Sequence, residues 1–155
     1  MSDSGTVVGL HLASEAEAPM RSVTDAEAVA GRGLRGDRYY EGAGTFSHLT
    51  TGGRDLTLTE AEAIDAIDRD YDVDVGFEDH RRNVTTRGIA LNHLVGERFR
   101  VGDAVCLGVR LCEPCAHLER LTVDGVEPAL VHRGGLRADV IEDGVIETGD
   151  AVEPL

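Results

Sequence analysis

Apolar and polar residues alternate in several short runs along the chain, which is typical of a β-rich protein. Alternation predicts a first strand over Val7 to Leu12 and another at Leu56 and Leu58. In the stretch 98–111, Val105, Leu107, Val109 and Leu111 fall on one side of a half-buried strand, and Ala104, Cys106, Gly108 and Arg110 on the other. Cys106 is therefore interpreted as a small structural residue of the sheet.

Helical periodicity is confined to short segments. Ile64, Ile67 and Tyr71 follow at spacings that predict an amphipathic helix from about 60 to 70. Thr24 and Glu27 have capping-box spacing, and this predicts one or two helical turns over Thr24 to Ala30, ended by Gly31. Pro114 predicts the start of a further helix, with Leu118 and Leu121 on its apolar side.

Glycine-containing turns punctuate the chain. Asp143-Gly144 between two β-prone runs predicts a hairpin, and a last strand is expected after Asp150. VGDAV (101–105) and TGDAV (148–152) each predict a short turn that leads into a strand. With 19 glycines and 155 residues, the chain is expected to form a single domain over 1–155, a mainly β barrel or sandwich with a few short peripheral α-helices.

The composition excludes several classes of protein. The formal net charge is −14, and all 15 basic residues are Arg, with no Lys. Such a surface repels nucleic acid and anionic lipid, so neither is expected as a partner. Without Lys the chain cannot form an internal Schiff base with pyridoxal phosphate. The acidic, Lys-free composition also suggests a halophilic origin, a hypothesis that fails if stability does not fall between molar salt and dilute buffer.

The sequence contains no basic start followed by an apolar stretch, and no apolar run near the about 18 residues of a membrane helix. Its three cysteines, Cys106, Cys112 and Cys115, are too few for a disulfide scaffold. Both features predict a cytoplasmic protein outside the membrane. One Cys112–Cys115 bridge stays possible.

The segment LCEPCAHLERLT (111–122) is the most informative for chemistry. Cys115 is expected in the first turn of the helix that Pro114 starts, where unpaired N–H groups stabilise a thiolate. Such a thiolate could attack sulfur or bind a soft metal; the alternative is a buried small residue or half of a disulfide. Cys112, Cys115 and His117 are too few ligands for a closed zinc site, and His117 and His48 are candidate proton donors.

Two arginine-rich segments interrupt the acidic background. Residues 31–40 hold three Arg against one Asp, and residues 80–100 hold five Arg against one Glu. They either pair with acids elsewhere or form a pocket for a phosphate or other oxyanion. Glycines in GLRGD would let backbone N–H groups approach an anion, but no P-loop is present. Asn83, Thr85 and Thr86 could bind a pterin or phosphate, or cap a turn.

In this order, GLRGDRYY (33–40), LTLTEAEAI (56–64), RRNVTTRGIALNHLVGERFRVGDAVCLGV (81–109), LCEPCAHL (111–118) and RGGLRADVIEDGVIETGDAV (133–152) resemble the MOSC domain, the C-terminal domain of molybdenum cofactor sulfurases. The resemblance implies a β-barrel with peripheral helices. It also implies that Cys115 is the functional thiol, the residue that ligates molybdenum in members such as the mitochondrial amidoxime-reducing component.

The resemblance further implies a set of cofactor-binding residues. Arg81 and Asn83 match the family's R-x-N element, and Arg81 is the first choice for the cofactor phosphate. Asp37 and Arg38 match its GLxGDR element. Glu113 departs from the Ser or Thr often found near the ligand Cys. The full set of candidates is Arg35, Asp37, Arg38, Arg81, Arg82, Asn83, Thr85 and Arg87 for the cofactor, and Cys115, Cys112 and His117 for catalysis.

Three functions are compatible with this picture. The first is binding of molybdopterin through Cys115, in support of reduction of N-hydroxylated or similar oxygenated substrates. The second is a persulfide carrier without turnover, in which Cys115 receives sulfur from a separate cysteine desulfurase. The third is a ligand-binding barrel whose site has decayed. The family's association with pyridoxal phosphate cannot be covalent here.

Overall fold

The structure is a computed structural model, and it describes residues 4–13, 21–37, 40, 55–71, 82–111 and 135–155, with side chains in the helix described up to Ala66. These residues form one α-helix, α1 (Ala61–Tyr71), a short 3-10 helix (Leu91–Leu94) and eleven strands. The strands are β1 (Gly5–Leu12), β2 (Arg21–Val23), β3 (Asp25–Val29), β4 (Gly33–Leu34), β5 (Leu56–Glu60), β6 (Val84–Arg87), β7 (Arg98–Val101), β8 (Ala104–Leu111), β9 (Leu136–Glu142), β10 (Gly144–Glu147) and β11 (Ala151–Pro154).

Seven of the described strands close into a barrel, in the order β11-β7-β8-β9-β5-β6-β1. The ring closes where Gly5 of β1 pairs with Val152 of β11, and β2 continues along the second half of the same edge of β1. Closure pairs the backbone groups that an open sheet would leave at its edges. Within the ring, β5 and β6 run parallel and are joined through α1.

Apolar side chains from every strand of the ring fill the barrel. Leu10 of β1, Leu58 of β5 and Val84 of β6 are each at most 1% exposed. Phe99 of β7 and Leu136 of β9 are fully buried in the same cluster. A small sheet, β10-β3-β4, lies beside the ring and adds Ala26, Ala28 and Ile146 to the core.

Most of the elements predicted from the alternating patterns are confirmed. The strand predicted from Val7 is β1, that at Leu56 is β5, and the last strand is β11. The helix predicted from about 60 to 70 is α1. Both Gly-Asp turns lead into strands, and Cys106 is a buried residue of β8. The helix expected after Pro114 lies outside the described residues.

The helical turns predicted over Thr24 to Ala30 are wrong, because this segment is strand β3. Asp25 and Glu27 are exposed and Ala26 and Ala28 are buried, a period of two rather than the period of a helix. The capping-box spacing of Thr24 and Glu27 therefore occurs here without a helix. Gly31, interpreted as a helix stop, lies in a turn at φ 75°.

The hairpin predicted at Asp143-Gly144 is also wrong. The strands on either side do not pair with each other: β9 joins β8 and β5 in the barrel, whereas β10 pairs with β3 in the small sheet. The Asp143 carboxylate accepts a hydrogen bond from the backbone N–H of Ala30 at 2.7 Å. Asp-Gly is thus a corner at which the chain changes sheets.

The more deeply buried side of β8 is the one that carries its small residues. Ala104, Cys106 and Gly108 are buried, whereas Leu107, Val109 and Leu111 are only partly buried. The backbone after the 3-10 helix crosses this side, and a Cβ at Gly108 would collide with the Leu94 carbonyl. Close approach of the backbone therefore requires a residue without a side chain at Gly108.

Candidate functional site

One side of β5, β6 and β1 is polar and nevertheless buried. Side chains alternate along these strands, and those that alternate with the core residues Leu10, Leu58 and Val84 point away from the barrel interior. On this outward side, each at most 3% exposed, are His11, Thr57, Thr59, Asn83 and Thr85. We call these five residues the polar face.

Asn83 is the centre of hydrogen bonding in the polar face. Its Oδ1 accepts bonds from the N–H and the hydroxyl of Thr57 at 3.1 and 3.2 Å, and its Nδ2 donates to the His11 carbonyl at 3.1 Å. Its own N–H and carbonyl also bond to Thr57 and His11. Asn83 therefore holds the start of β6 between β5 and β1, and its amide is committed to positioning these strands.

Asp37 and Arg82 lie in the same neighbourhood, at the end of β1. Asp37 is fully buried, and its Oδ1 accepts the N–H of Ala13 at 3.0 Å, two residues beyond the His11 carbonyl that Asn83 binds. Arg82 is 5% exposed and directly precedes Asn83. A buried guanidinium is uncommon because desolvating a charge is costly. The fold thus brings together Asp37, Arg82 and Asn83, three of the residues that the sequence nominated for the cofactor.

Thr59 and Thr85 form the other end of the polar face. They are register partners on the parallel strands β5 and β6, and Thr85 also pairs with Gly9 of β1. Gly9 leaves room beside them: a Cβ there would lie 3.0 Å from the imidazole of His11. The Thr59 hydroxyl is buried and has no hydrogen-bond partner among the described residues.

Arg35 and Arg87 are surface residues with acidic partners. Arg35 Nε donates to Glu27 at 3.0 Å, and this bond raises the pKa of Arg35. Arg87 approaches Asp65 at 3.5 Å. Arg35 also lies 5.3 Å from the centroid of the Tyr40 ring. Of the two interpretations of the arginine-rich segments, the structure shows pairing with acids for Arg35 and Arg87.

The described cysteine does not supply a reactive thiol. Cys106 is fully buried in β8, and desolvation raises the pKa of its thiol to about 12. It therefore stays protonated at neutral pH and is a poor nucleophile or metal ligand. No group of three or more His, Cys, Asp or Glu residues in the described part of the chain could hold a metal ion.

Six of the nominated residues lie outside the described residues, namely Arg38, His48, Arg81, Cys112, Cys115 and His117. The described strands nevertheless show where the cysteine-bearing stretch 112–134 leaves and rejoins the barrel. Leu111 of β8 pairs with Leu136 of β9, which pairs with Leu58 of β5. Gly135, at φ 116°, packs against the backbone of Leu58 and Thr59, where a Cβ would collide with the Leu58 carbonyl. The stretch thus rejoins the sheet beside Thr59.

Register places the start of β6 and the end of β8 at one level of the sheet, because Leu111 lies across from Leu136, Leu136 across from Leu58, and Leu58 across from Val84. β8, β5 and β6 run the same way, since β9 is antiparallel to both β8 and β5. Arg82 and Asn83 precede β6, and the chain beyond Leu111 follows the end of β8. In the polar face, Asn83 lies one residue before this level on β6 and Thr59 one residue after it on β5.

Sequence analysis did not find His11, Thr57 and Thr59. The alternation of Leu56 and Leu58 indicated a strand, and Thr59 with Glu62 has capping-box spacing, so neither pattern assigned a binding role to the threonines. The threonines could have been recognised by residue type. β5 and β6 each contain two threonines, and no polar position before Glu60 in β5 or before Arg87 in β6 is charged. Small uncharged polar residues suit a covered face better than an exposed one.

In the described part of the chain, no helix is long and apolar enough to cross a membrane. A shallow cleft of about 390 Å³ lies outside the polar face, between β2 and β3. It is lined by charges of both signs, including Arg21, Arg35, Asp25 and Glu27. Its mixed charge favours no single ligand.

Comparison with known proteins places the chain in a family. A search of curated proteins finds no match. Among solved structures, YuaD of Bacillus subtilis is similar at a TM-score of 0.80 and 18% identity, over 97% of this chain and 95% of that one. YiiM of Geobacillus stearothermophilus gives 0.71 and 14%, over 97% and 75%; YiiM of Escherichia coli gives 0.69 and 17%, over 97% and 69%. The family model of the MOSC domain matches residues 45–153. The chain belongs to the MOSC domain family, which is associated with binding of the molybdenum cofactor.

Proposed function

We propose that this protein binds the molybdenum cofactor through Cys115 and supports the reduction of N-hydroxylated or similar oxygenated substrates. The single observation that carries the proposal is the buried Arg82 beside the anchored Asn83, at the edge of a covered polar face. A buried cation next to uncharged hydrogen-bonding groups suits a ligand that combines a phosphate with a polar heterocycle.

The donor chemistry of the chain fits this cofactor. Molybdenum in a pyranopterin takes a soft protein ligand, and a thiolate is the softest that a side chain offers. Cys106 is unsuited because burial raises its thiol pKa to about 12. Cys115 and Cys112 are therefore the candidates, and the family resemblance selects Cys115. We assign Arg81, Arg82 and Arg38 to the phosphate, with Thr85 toward the pterin.

The other nominated residues have supporting roles in the proposal. Asp37 and Asn83 fix the end of β1 and so position the polar face, because their hydrogen bonds run to the backbone of Ala13, Thr57 and His11. Arg35 and Arg87 balance acids at the surface. His117 is the proposed proton donor near the thiol.

When bound, the cofactor supplies the two-electron chemistry, and a separate reductant supplies the electrons. The chain's part is to hold the phosphate, orient the pterin and deliver a proton. A cytoplasmic location, where thiols stay reduced, suits a thiolate ligand.

A persulfide carrier is the second candidate, and the spacing of the two remaining cysteines favours it. Cys112 lies three positions before Cys115, so it could release a sulfur held on Cys115 by forming a disulfide. This role needs a separate cysteine desulfurase as partner. It needs no cofactor, and this separates it from the first proposal.

The test is to express the protein in a host that makes the cofactor and to measure molybdenum and pterin in the purified protein. We expect both in the wild type, their loss in Cys115→Ser, and their retention in the matched variant Cys112→Ser. A wild type without molybdenum and pterin would refute cofactor binding. In that case, a sulfur adduct on Cys115 after incubation with a cysteine desulfurase and cysteine, detected by intact mass, would support the carrier.

A further inference from the structure

The Thr59 hydroxyl is a buried polar group that the fold itself does not use. Thr59 is 1% exposed, and its Oγ1 has no hydrogen-bond partner among the described residues. The nearby Thr86 hydroxyl donates to the Thr59 carbonyl at 3.4 Å rather than to the hydroxyl. Buried hydroxyls are nearly always hydrogen-bonded, so a buried hydroxyl without a partner in the fold indicates a partner from outside it.

The neighbours of Thr59 on the polar face do not hydrogen-bond to its hydroxyl. On the same polar face, Asn83 is committed to Thr57 and His11, so its amide cannot turn toward Thr59. Thr85 stands beside Thr59 as its register partner on β6. The two are neighbours on the parallel strands β5 and β6, and Thr59 lies one residue before the end of β5.

Thr59 also lies where the cysteine-bearing stretch returns to the sheet. Gly135 packs against Leu58 and Thr59, with its Cβ position 3.2 Å from the Thr59 Cα. Its φ of 116° and this close approach both require glycine. Thr59 therefore lies beside the described point at which the chain rejoins the sheet before β9.

We infer that Thr59 is a ligand-binding residue whose hydroxyl donates a hydrogen bond to an oxygen of the group bound over the polar face. The inference rests on the proposed function and deepens it, because it names the contact at the end of the face opposite Arg82. An oxygen acceptor is the partner that fits. Thr85, the register partner of Thr59 on β6, lies beside it on the same face.

The experiment compares Thr59→Val, which keeps the shape and removes the hydroxyl, with Thr59→Ser, which keeps the hydroxyl. The matched control is Thr86→Val, since the Thr86 hydroxyl has a partner in the fold. In cofactor-free protein, we expect Thr59→Val to unfold at the same or a higher urea concentration than wild type, because it removes a buried hydroxyl that has no hydrogen-bond partner. Thr86→Val is expected to unfold at a lower concentration.

In cofactor-loaded protein, Thr59→Val is expected to lose molybdenum and pterin about tenfold faster than wild type, and Thr59→Ser at the wild-type rate. A structural hydrogen bond would instead make cofactor-free Thr59→Val less stable, and that result overturns the inference. Equal retention by Thr59→Val and wild type also overturns it and leaves the proposed function standing. If wild type itself carries no cofactor, the proposed function fails and the inference fails with it.

Discussion

The two arginine-rich segments look alike in sequence and differ in the fold. Each contains a fully buried polar residue that hydrogen-bonds near the end of β1: Asp37 binds the N–H of Ala13, and Asn83 binds the carbonyl of His11. The arginines behave differently. Arg35 is exposed and paired with Glu27, whereas Arg82 is almost completely buried.

The difference shows that local charge does not identify a binding segment, because burial decides what a charge does. An exposed arginine among many acids finds a partner at the surface at little cost. A buried arginine must have its charge and its donors compensated within the protein or by a ligand. Of these two arginines, Arg82 and not Arg35 is therefore the candidate for the proposed site.

The largest loss of stability is expected from Asn83→Ala. Loss of the side chain leaves the Thr57 N–H and the His11 carbonyl without the partners described above, and we expect the free energy of unfolding to fall by about 4 kcal/mol. Urea denaturation measures it. The matched control is Asn92→Ala, at an exposed position of the 3-10 helix, which should unfold close to wild type. Similar losses in both variants would show that Asn83 does not anchor the strands.

Replacement of the buried arginine is expected to have the next largest effect. Arg82→Ala removes one member of a buried polar network, and we expect the free energy of unfolding to fall by about 3 kcal/mol. Arg35→Ala, the control from the other segment, should leave the urea midpoint unchanged because its ion pair is exposed. If the two variants lost equal stability, the contrast between the segments would be wrong.

The smallest effect concerns two carboxyl groups: Glu60, which contacts the second arginine-rich segment, and Glu27, which contacts the first. Glu60 is half-buried, and its Oε2 accepts the N–H of Leu91 at 3.3 Å. Burial raises the pKa of Glu60, so the folded state holds this proton more tightly than the unfolded state does. The stability it contributes is present at low pH and is lost as pH rises through the raised pKa.

We therefore expect Glu60→Gln to gain stability relative to wild type as the pH rises from about 4 to about 7. The control is Glu27→Gln, an exposed position beside Arg35. The measurement is the urea midpoint at each pH. A stability difference between wild type and Glu60→Gln that does not change with pH would contradict the assignment.

Prediction from the sequence succeeded where a pattern was long or repeated. Three apolar residues at helical spacing were enough for α1, and alternation was enough for β1, β5, β8 and β11. It failed at Thr24 to Ala30, where a capping-box spacing coincided with the period-two burial of Ala26 and Ala28. It failed at Asp143-Gly144 because the choice of pairing partner is made by distant strands, here β3 and β8.

The candidate site was predicted in part. Arg82, Asn83, Thr85 and Asp37 were nominated by residue type and motif order, and the fold gathers them near the end of β1 and the start of β6. Thr57, Thr59 and His11 were not nominated, because a polar residue that alternates with leucine looks the same in sequence whether its side of the sheet is open or covered.

The sequence by itself determined the β-rich class, the helix α1 between β5 and β6, the family resemblance and the absence of lysine chemistry, because these depend on local periodicity, motif order and composition. The tertiary structure decided which strands pair, which arginine is buried, and that the outward side of β5, β6 and β1 is covered. These properties depend on contacts between residues far apart in the chain, such as that of Asn83 with His11, 72 positions away. A local sequence pattern does not determine such contacts, because they form only when the barrel closes.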